Sequence, residues 1–370
     1  WPTDSWNAYR PAGKMLFDHP FVSQVHDEVG FKLIMRGKET LILAIALMQR
    51  FLGDFESEYP AVLVLIAAMN ICFVLVFQIS KRLFNETTAF IVFLFFATTC
   101  WPYMYVLQAA HPPMVLLMFL AAVYFLQRAE GRKLLIFLSG ISLGLMLFSS
   151  PTSPIYLPYY VGFWFFLHRD RKFIEISKNI LIQGMMILAG ILIPLLYFTL
   201  PDPIAYLHKF QDFLNFSRRG NDFIIWRHLL EQYFSFPESF RGGGIIWVLK
   251  YMFLILPILF PLYIASLIYL MVRAFTKKAY IWIILISLST LILVEVSQVA
   301  QFGRNYFSWF IGIIFLIGMA GYDFFYIFKD IGLGIADIDA IIITHAPDDH
   351  PDSLEALVAH SHRRALGLAL

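Results

Sequence analysis

The chain has 370 residues, of which 59% are hydrophobic and 15% charged, and its formal net charge is +2. Soluble domains carry about 25% charged residues, so this composition excludes a soluble enzyme and calls for an all-α polytopic membrane protein. The near-neutral balance gives no global basic field for nucleic acid. Cys72 and Cys100 both lie inside apolar runs, where thiols act as small hydrophobes, and they imply no disulfide framework, zinc pattern or thiol chemistry.

The chain opens at Trp1 in a polar segment. A helix or signal is expected ahead of it to deliver that segment across the membrane. Residues 1–58 then read as an outer-face loop followed by the amphipathic stretch ETLILAIALMQRFLGDF at 39–55. That stretch is too short and too flanked by charge to span, which predicts a helix lying in the interface.

A helix needs about 20 apolar residues to cross the hydrocarbon. Nine candidate spans follow, at 59–80, 87–107, 112–128, 133–150, 152–168, 179–200, 245–272, 279–300 and 306–328. The fourth and fifth are divided only by SSPTSP (149–154), whose prolines stop one helix and open the next. The spans define a membrane domain at 59–328, interrupted by an aromatic, mixed-charge loop at 201–244 that reads as a partly helical cap. No internal repeat is evident, which weakens a transporter built from paired halves.

Lys and Arg gather in alternate loops: Lys81 and Arg82, then Arg128, Arg132 and Lys133, then 169–178, then 273–278, then Lys329. The opposite short loops hold only Arg304. The positive-inside rule then places the first 58 residues and the 201–244 loop outside and the tail in the cytoplasm.

The tail at 329–370 is different in kind. IDAIIIT reads as a buried strand and PDSLEALVAHSHRRAL as a helix, giving a short βα-like appendage. Its THAPDDH string resembles the metallo-β-lactamase metal motif at His345, Asp349 and His350, but Pro347 replaces the second histidine, and no working metal site is expected. Asp337 and Asp339 form an Asp-x-Asp pair too common to mark a nucleotide-sugar site. His26, Asp27 and Glu28 are divalent-ion ligand types, yet consecutive residues rarely point at one ion, and a solvated loop is the simpler reading.

Several stretches carry a resemblance. TDSWNAYRPAGKMLFDHPFV (3–22) holds Asp4, Tyr9 and Asp18, RGKETLILAIALMQRFLGDF (36–55) forms the amphipathic stretch, AAHPPM contains His111, and QFGRNYFSW (301–309) contains Arg304. In this order the pattern resembles the GT-C glycosyltransferases, in particular the protein O-mannosyltransferase and lipid-A aminoarabinose transferase group. Two departures stand out: Ser5 where that family often has Glu, and Asn305 inserted before Tyr306. The resemblance implies transfer of a hexosyl or pentosyl group, with inversion, from a polyprenyl-phosphate-linked donor to an acceptor at the outer face. It also implies residence in a bacterial or archaeal cytoplasmic membrane.

The residues can be weighed against that chemistry directly. Cleaving a sugar from phosphate builds charge on the leaving group, which a cation must meet, and the acceptor hydroxyl must lose a proton to a positioned carboxylate. Arg304 is the cation and Asp4 the base that the topology offers, with Tyr9, Arg10, Lys14, His111 and Glu295 as substrate-binding candidates. Each has a plainer alternative. Asp4 is also a natural helix N-cap, Arg304 a headgroup anchor and His111 a polar tip at a helix start. Glu295, inside the eighth span, is either a site residue or a buried partner for Arg304. The sequence requires no cofactor and no metal, and leaves assistance by a divalent ion open. The expected partners are membrane lipid, the lipid-linked sugar and an acceptor that is protein, lipid or glycan. The rivals are a transporter or flippase of a lipid-linked substrate and a non-catalytic membrane scaffold.

Overall fold

A computed structural model describes residues 38–99, 106, 112–130, 132–150, 153–168, 173–200, 203–204, 252–254, 256–276, 284 and 307–330, with backbone alone at 155, 173–180, 307–309 and 325–330. Among these every regular element is helical. In chain order they are α1 (Glu39–Leu52), α2 (Tyr59–Leu83), α3 (Glu86–Thr98), α4 (Pro112–Arg128), α5 (Lys133–Leu147), a 3-10 turn (Ser153–Tyr156), α6 (Leu157–Leu167), α7 (Phe173–Thr199), α8 (Leu259–Ala274) and α9 (Phe307–Asp330). The chain divides into two compact units at Ala320/Gly321. The described part of the second is the end of α9, 321–330.

Among the described residues, helices stand at eight of the nine sequence-predicted spans, and the span at 279–300 lies outside them apart from Ile284. Two helical stretches, Tyr59–Leu83 and Leu181–Thr199, are long and apolar enough to cross a membrane, and the others are shorter apolar helices. The 201–244 cap apart from 203–204, and the tail beyond Asp330 with its expected strand and helix, lie outside the described residues.

Local chemistry explains the boundaries. α1 carries Glu39 in its first turn and Arg50 in its last, each favourable to the helix dipole, and stops at Gly53, whose φ of 67° is left-handed. Asp54 follows and accepts from the backbone N–H of Ser57 at 2.9 Å and of Glu56 at 3.0 Å, and from the Ser57 hydroxyl. Those donors, the Ser57 hydroxyl above all, hold its carboxyl below the ordinary carboxylate value. α3 is capped by Asn85, whose side chain accepts from the Thr88 N–H at 2.7 Å. α5 ends at Leu147 and the chain resumes helix at Ser153, so SSPTSP divides two helices as its prolines require.

Aromatic contacts join the helices. Phe73 and Phe310 both pack on Phe96, at ring separations of 5.3 and 5.5 Å, tying α2, α3 and α9. Phe163 meets Phe315 at 5.2 Å between α6 and α9. The closest seam is between α5 and α7: a Cβ on Gly144 would lie 2.9 Å from the Pro194 ring, and one on Gly140 would collide with the Ile187 carbonyl. Small residues four apart allow this approach, which replaces the hydrophobic drive that lipid cannot supply. The opposite side of α7 exposes Leu181, Met185, Leu188 and Leu192, the apolar surface that a bilayer covers.

Two sets of polar groups inside the bundle are paired across helices. The Ser139 hydroxyl of α5 donates to the Ala122 carbonyl of α4 or shares its proton with the Tyr160 hydroxyl of α6, both at 2.7 Å. Trp164 Nε1 donates to Gln183 Oε1 at 2.7 Å, joining α6 to α7. Cys72 is buried without a disulfide, as expected of a small hydrophobe.

Candidate functional site

The amino terminus of α1 is the most polar buried place among the described residues. Lys38 is 5% exposed, Glu39 is fully buried and Thr40 is 6% exposed. Burying ionisable groups beside a bilayer is costly unless they are engaged, and such residues mark sites more often than scaffolding. Both Lys38 and Glu39 are engaged by other groups of the protein.

Thr40 fixes this end of the helix to α5. Its backbone N–H donates to the Phe148 carbonyl at 2.9 Å and its hydroxyl donates to the Leu145 carbonyl at 2.8 Å. The positive end of α1 thereby meets the negative end of α5, an arrangement in which the two helix dipoles attract. Ser149, Ser150 and Ser153 are buried in the adjoining turn. Ser149 donates to the Leu145 carbonyl at 2.8 Å and Ser153 to the Ser150 carbonyl at 2.7 Å, so these hydroxyls close their own backbone. The result is a rigid polar floor made by the α1 start and the α5 end.

The far end of α5 has the opposite character. Arg82 at the end of α2 donates to the Gln127 carbonyl of α4 at 2.7 Å and pairs with Glu130, and Lys81 pairs with Glu86 at 2.8 Å. Arg128, Arg132 and Lys133 join them on the α4–α5 turn. The basic residues of two alternate loops thus share one end of the bundle. At 1.5 Å per residue, the length of α5 separates this cluster from the Thr40 floor by about 20 Å.

All the site residues expected from sequence, Asp4, Tyr9, Arg10, Lys14, His111, Glu295 and Arg304, lie outside the described residues. What sequence reading passed over is Lys38 and Glu39. They sit in the quoted RGKETL string, but a charged pair at the head of an amphipathic stretch reads as a solvated start, and only the docking of Thr40 onto α5 buries it. Among the described residues no three His, Cys, Asp or Glu side chains converge where a metal ion could sit.

The comparisons bear on this same region. Residues 40–198 match the family model described as dolichyl-phosphate-mannose-protein mannosyltransferase, a stretch that begins at Thr40 and ends at Phe198 on α7. No curated protein matches the chain. The matched stretch, about two fifths of the chain, is similar to the dolichyl-phosphate-mannose-protein mannosyltransferases and supports a membrane glycosyltransferase of the GT-C type.

Proposed function

We propose that the protein moves a hexosyl or pentosyl group, with inversion, from a polyprenyl-phosphate carrier to an acceptor at the outer face of a bacterial or archaeal cytoplasmic membrane, which residues 59–328 cross nine times. The reading is carried by the buried, α5-anchored start of α1 within a segment of mannosyltransferase type, at the opposite end of the bundle from the clustered basic residues. If the basic end is cytoplasmic, the polar floor faces outward, where a lipid-linked sugar and its acceptor meet.

The division of labour follows from the bond being broken. The leaving lipid phosphate gains charge, and Arg304 meets it with a bidentate fork. Asp4 removes the acceptor proton during attack, while Tyr9, Arg10, Lys14, His111 and Glu295 position donor and acceptor. The donor is itself the activated group, so no cofactor enters the scheme.

The test measures donor binding and sugar transfer on the full-length protein in membranes. Removing a general base costs about 10²- to 10⁴-fold in rate, so Asp4→Asn should lose turnover by that amount and keep donor binding. Arg304→Ala should lose both, with partial rescue by Arg304→Lys. Full transfer by Asp4→Asn would leave Asp4 as a helix cap and remove it from the reaction. Normal donor binding by Arg304→Ala would return Arg304 to the role of a headgroup anchor.

A further inference from the structure

At the basic end of the bundle the charges are not evenly compensated. Among the described residues of the α2–α3 and α4–α5 turns five cations stand there, Lys81, Arg82, Arg128, Arg132 and Lys133, against two carboxylates, Glu86 and Glu130. Both carboxylates are taken: Lys81 holds Glu86 at 2.8 Å, and Arg82 holds Glu130. The remaining three cations therefore carry a net charge of three positive on one short turn.

Their setting is specific. The turn is closed by the Arg132 N–H donating to the Ala129 carbonyl at 2.5 Å, and Glu130 within it adopts a positive φ of 35°. Arg128 lies with its guanidinium 5.2 Å from the centre of the Tyr124 ring, which orients it without neutralising it. Arg132 and Lys133 are exposed and make no ion pair among the described residues, and they sit at the amino-terminal end of α5, where a cation opposes the helix dipole. That start also has no side-chain cap and no acidic residue in its first turn. Arg132 and Lys133, held against this preference with Arg128 beside them on the last turn of α4, call for a negative partner.

We propose that the α4–α5 turn binds the headgroup of an anionic phospholipid, with its phosphate among Arg128, Arg132 and Lys133. The neighbouring residue decides between a lipid and a soluble anion: Leu134, directly after Lys133, is 67% exposed and offers an apolar surface to an acyl chain. A cation pair followed at once by an exposed leucine suits a headgroup with its chain attached, whereas free phosphate would gain nothing from Leu134. Attraction of juxtamembrane cations to anionic lipid is a general effect worth about fivefold in partitioning for each Lys or Arg. This turn concentrates it on a structured site at the end of the bundle away from the proposed chemistry.

The test is native mass spectrometry of the full-length protein released from nanodiscs containing phosphatidylglycerol and phosphatidylcholine in equal amounts. The wild-type protein should retain phosphatidylglycerol preferentially, by on the order of a hundredfold for three cations. Arg132→Gln with Lys133→Gln should cut that preference roughly 25-fold and leave phosphatidylcholine retention unchanged. Equal retention of the two lipids by wild type, or an unchanged preference in the double variant, would overturn the proposal. Complete displacement by inorganic phosphate at matched concentration would also overturn it, in favour of a soluble anion. If the double variant does not fold, salt titration of the wild type decides: the preference should fall as sodium chloride rises from about 0.1 to 1 M and the screening length contracts, and a salt-independent preference would refute it.

Discussion

Gly140 on α5 and Gly190 on α7 face each other so closely that a Cβ on Gly190 would lie 2.9 Å from the Gly140 carbonyl carbon and 2.8 Å from the Ile141 nitrogen. Both clashes are with backbone, which cannot turn aside as a side-chain tip can. Gly140→Leu and Gly190→Leu should therefore each destabilise the α5–α7 pair by about 1–3 kcal/mol or more. Gly184, which has open space around it, serves as the control, and Gly184→Ala should cost far less. Thermal unfolding of the three variants in one detergent measures the difference. Equal melting of all three would show that the seam is not tightly packed.

Ser139 links three helices through the Ala122 carbonyl and the Tyr160 hydroxyl. Ser139→Ala removes both links and leaves a buried phenol short of a partner, a loss of about 1–3 kcal/mol. Tyr160→Phe leaves Ser139 bonded to Ala122 and should cost only about 0.5–1.5 kcal/mol. Chemical denaturation that ranks Tyr160→Phe as the worse of the two would contradict this hierarchy.

Thr40 anchors the polar floor through one side-chain hydrogen bond of 2.8 Å to Leu145. Thr40→Val keeps the shape and loses the bond, at about 1 kcal/mol. If the whole of that loss is felt in the transition state, sugar transfer falls about fivefold. Thr40→Ser should retain most of the wild-type rate. The assay compares both variants at saturating and limiting donor, and equal rates for valine and serine would separate the floor from the chemistry.

The Asp54 turn predicts a pH dependence. Its carboxyl is held below the ordinary value of 3.8 by donors present in the folded turn, so the unfolded chain takes up the proton first as pH falls. The stabilisation is fully present above the unfolded value and fades as pH drops through the folded one. The melting difference between wild type and Asp54→Ala should therefore be constant from neutral pH down to about 5 and shrink below about 4. A difference that widens on acidification would show the opposite sign and remove the stabilising role of the Asp54–Ser57 bonds.

Much of this was legible from residues read singly. Apolar runs bounded by Lys81–Arg82, Pro112–Pro113 and Ser149–Pro154 declare their helices because length and hydropathy act locally. The stretch at 39–55 was readable as a helix for the same reason, although the helix stops earlier, at Leu52. The glycine seam was not, since Gly140 and Gly144 gain meaning only once α7 lies against them. Lys38 and Glu39 show the limit most clearly. Nothing within ten residues of them specifies burial, and the neighbouring Thr40 is fixed by Phe148 and Leu145 a hundred residues later. The family resemblance and the match over residues 40–198 agree on the type of protein, while the roles of Asp4 and Arg304 rest on the chemistry of the reaction.

The Thr40–Leu145 bond spans 105 residues of sequence, and the Arg82–Glu130 pair spans 48. Chain growth at about 5–20 residues per second therefore lets α2 and α4 clasp within seconds, while α1 waits roughly 5–20 s for its dock on α5 to be synthesised. During that interval the Lys38–Glu39 end has no protein to bury it and must remain in the watery headgroup layer, with the exposed Leu47 and Phe51 turned to the lipid. An amphipathic helix is the form suited to such a delay, and the polar floor is therefore among the last parts of this segment to be assembled as the protein is made.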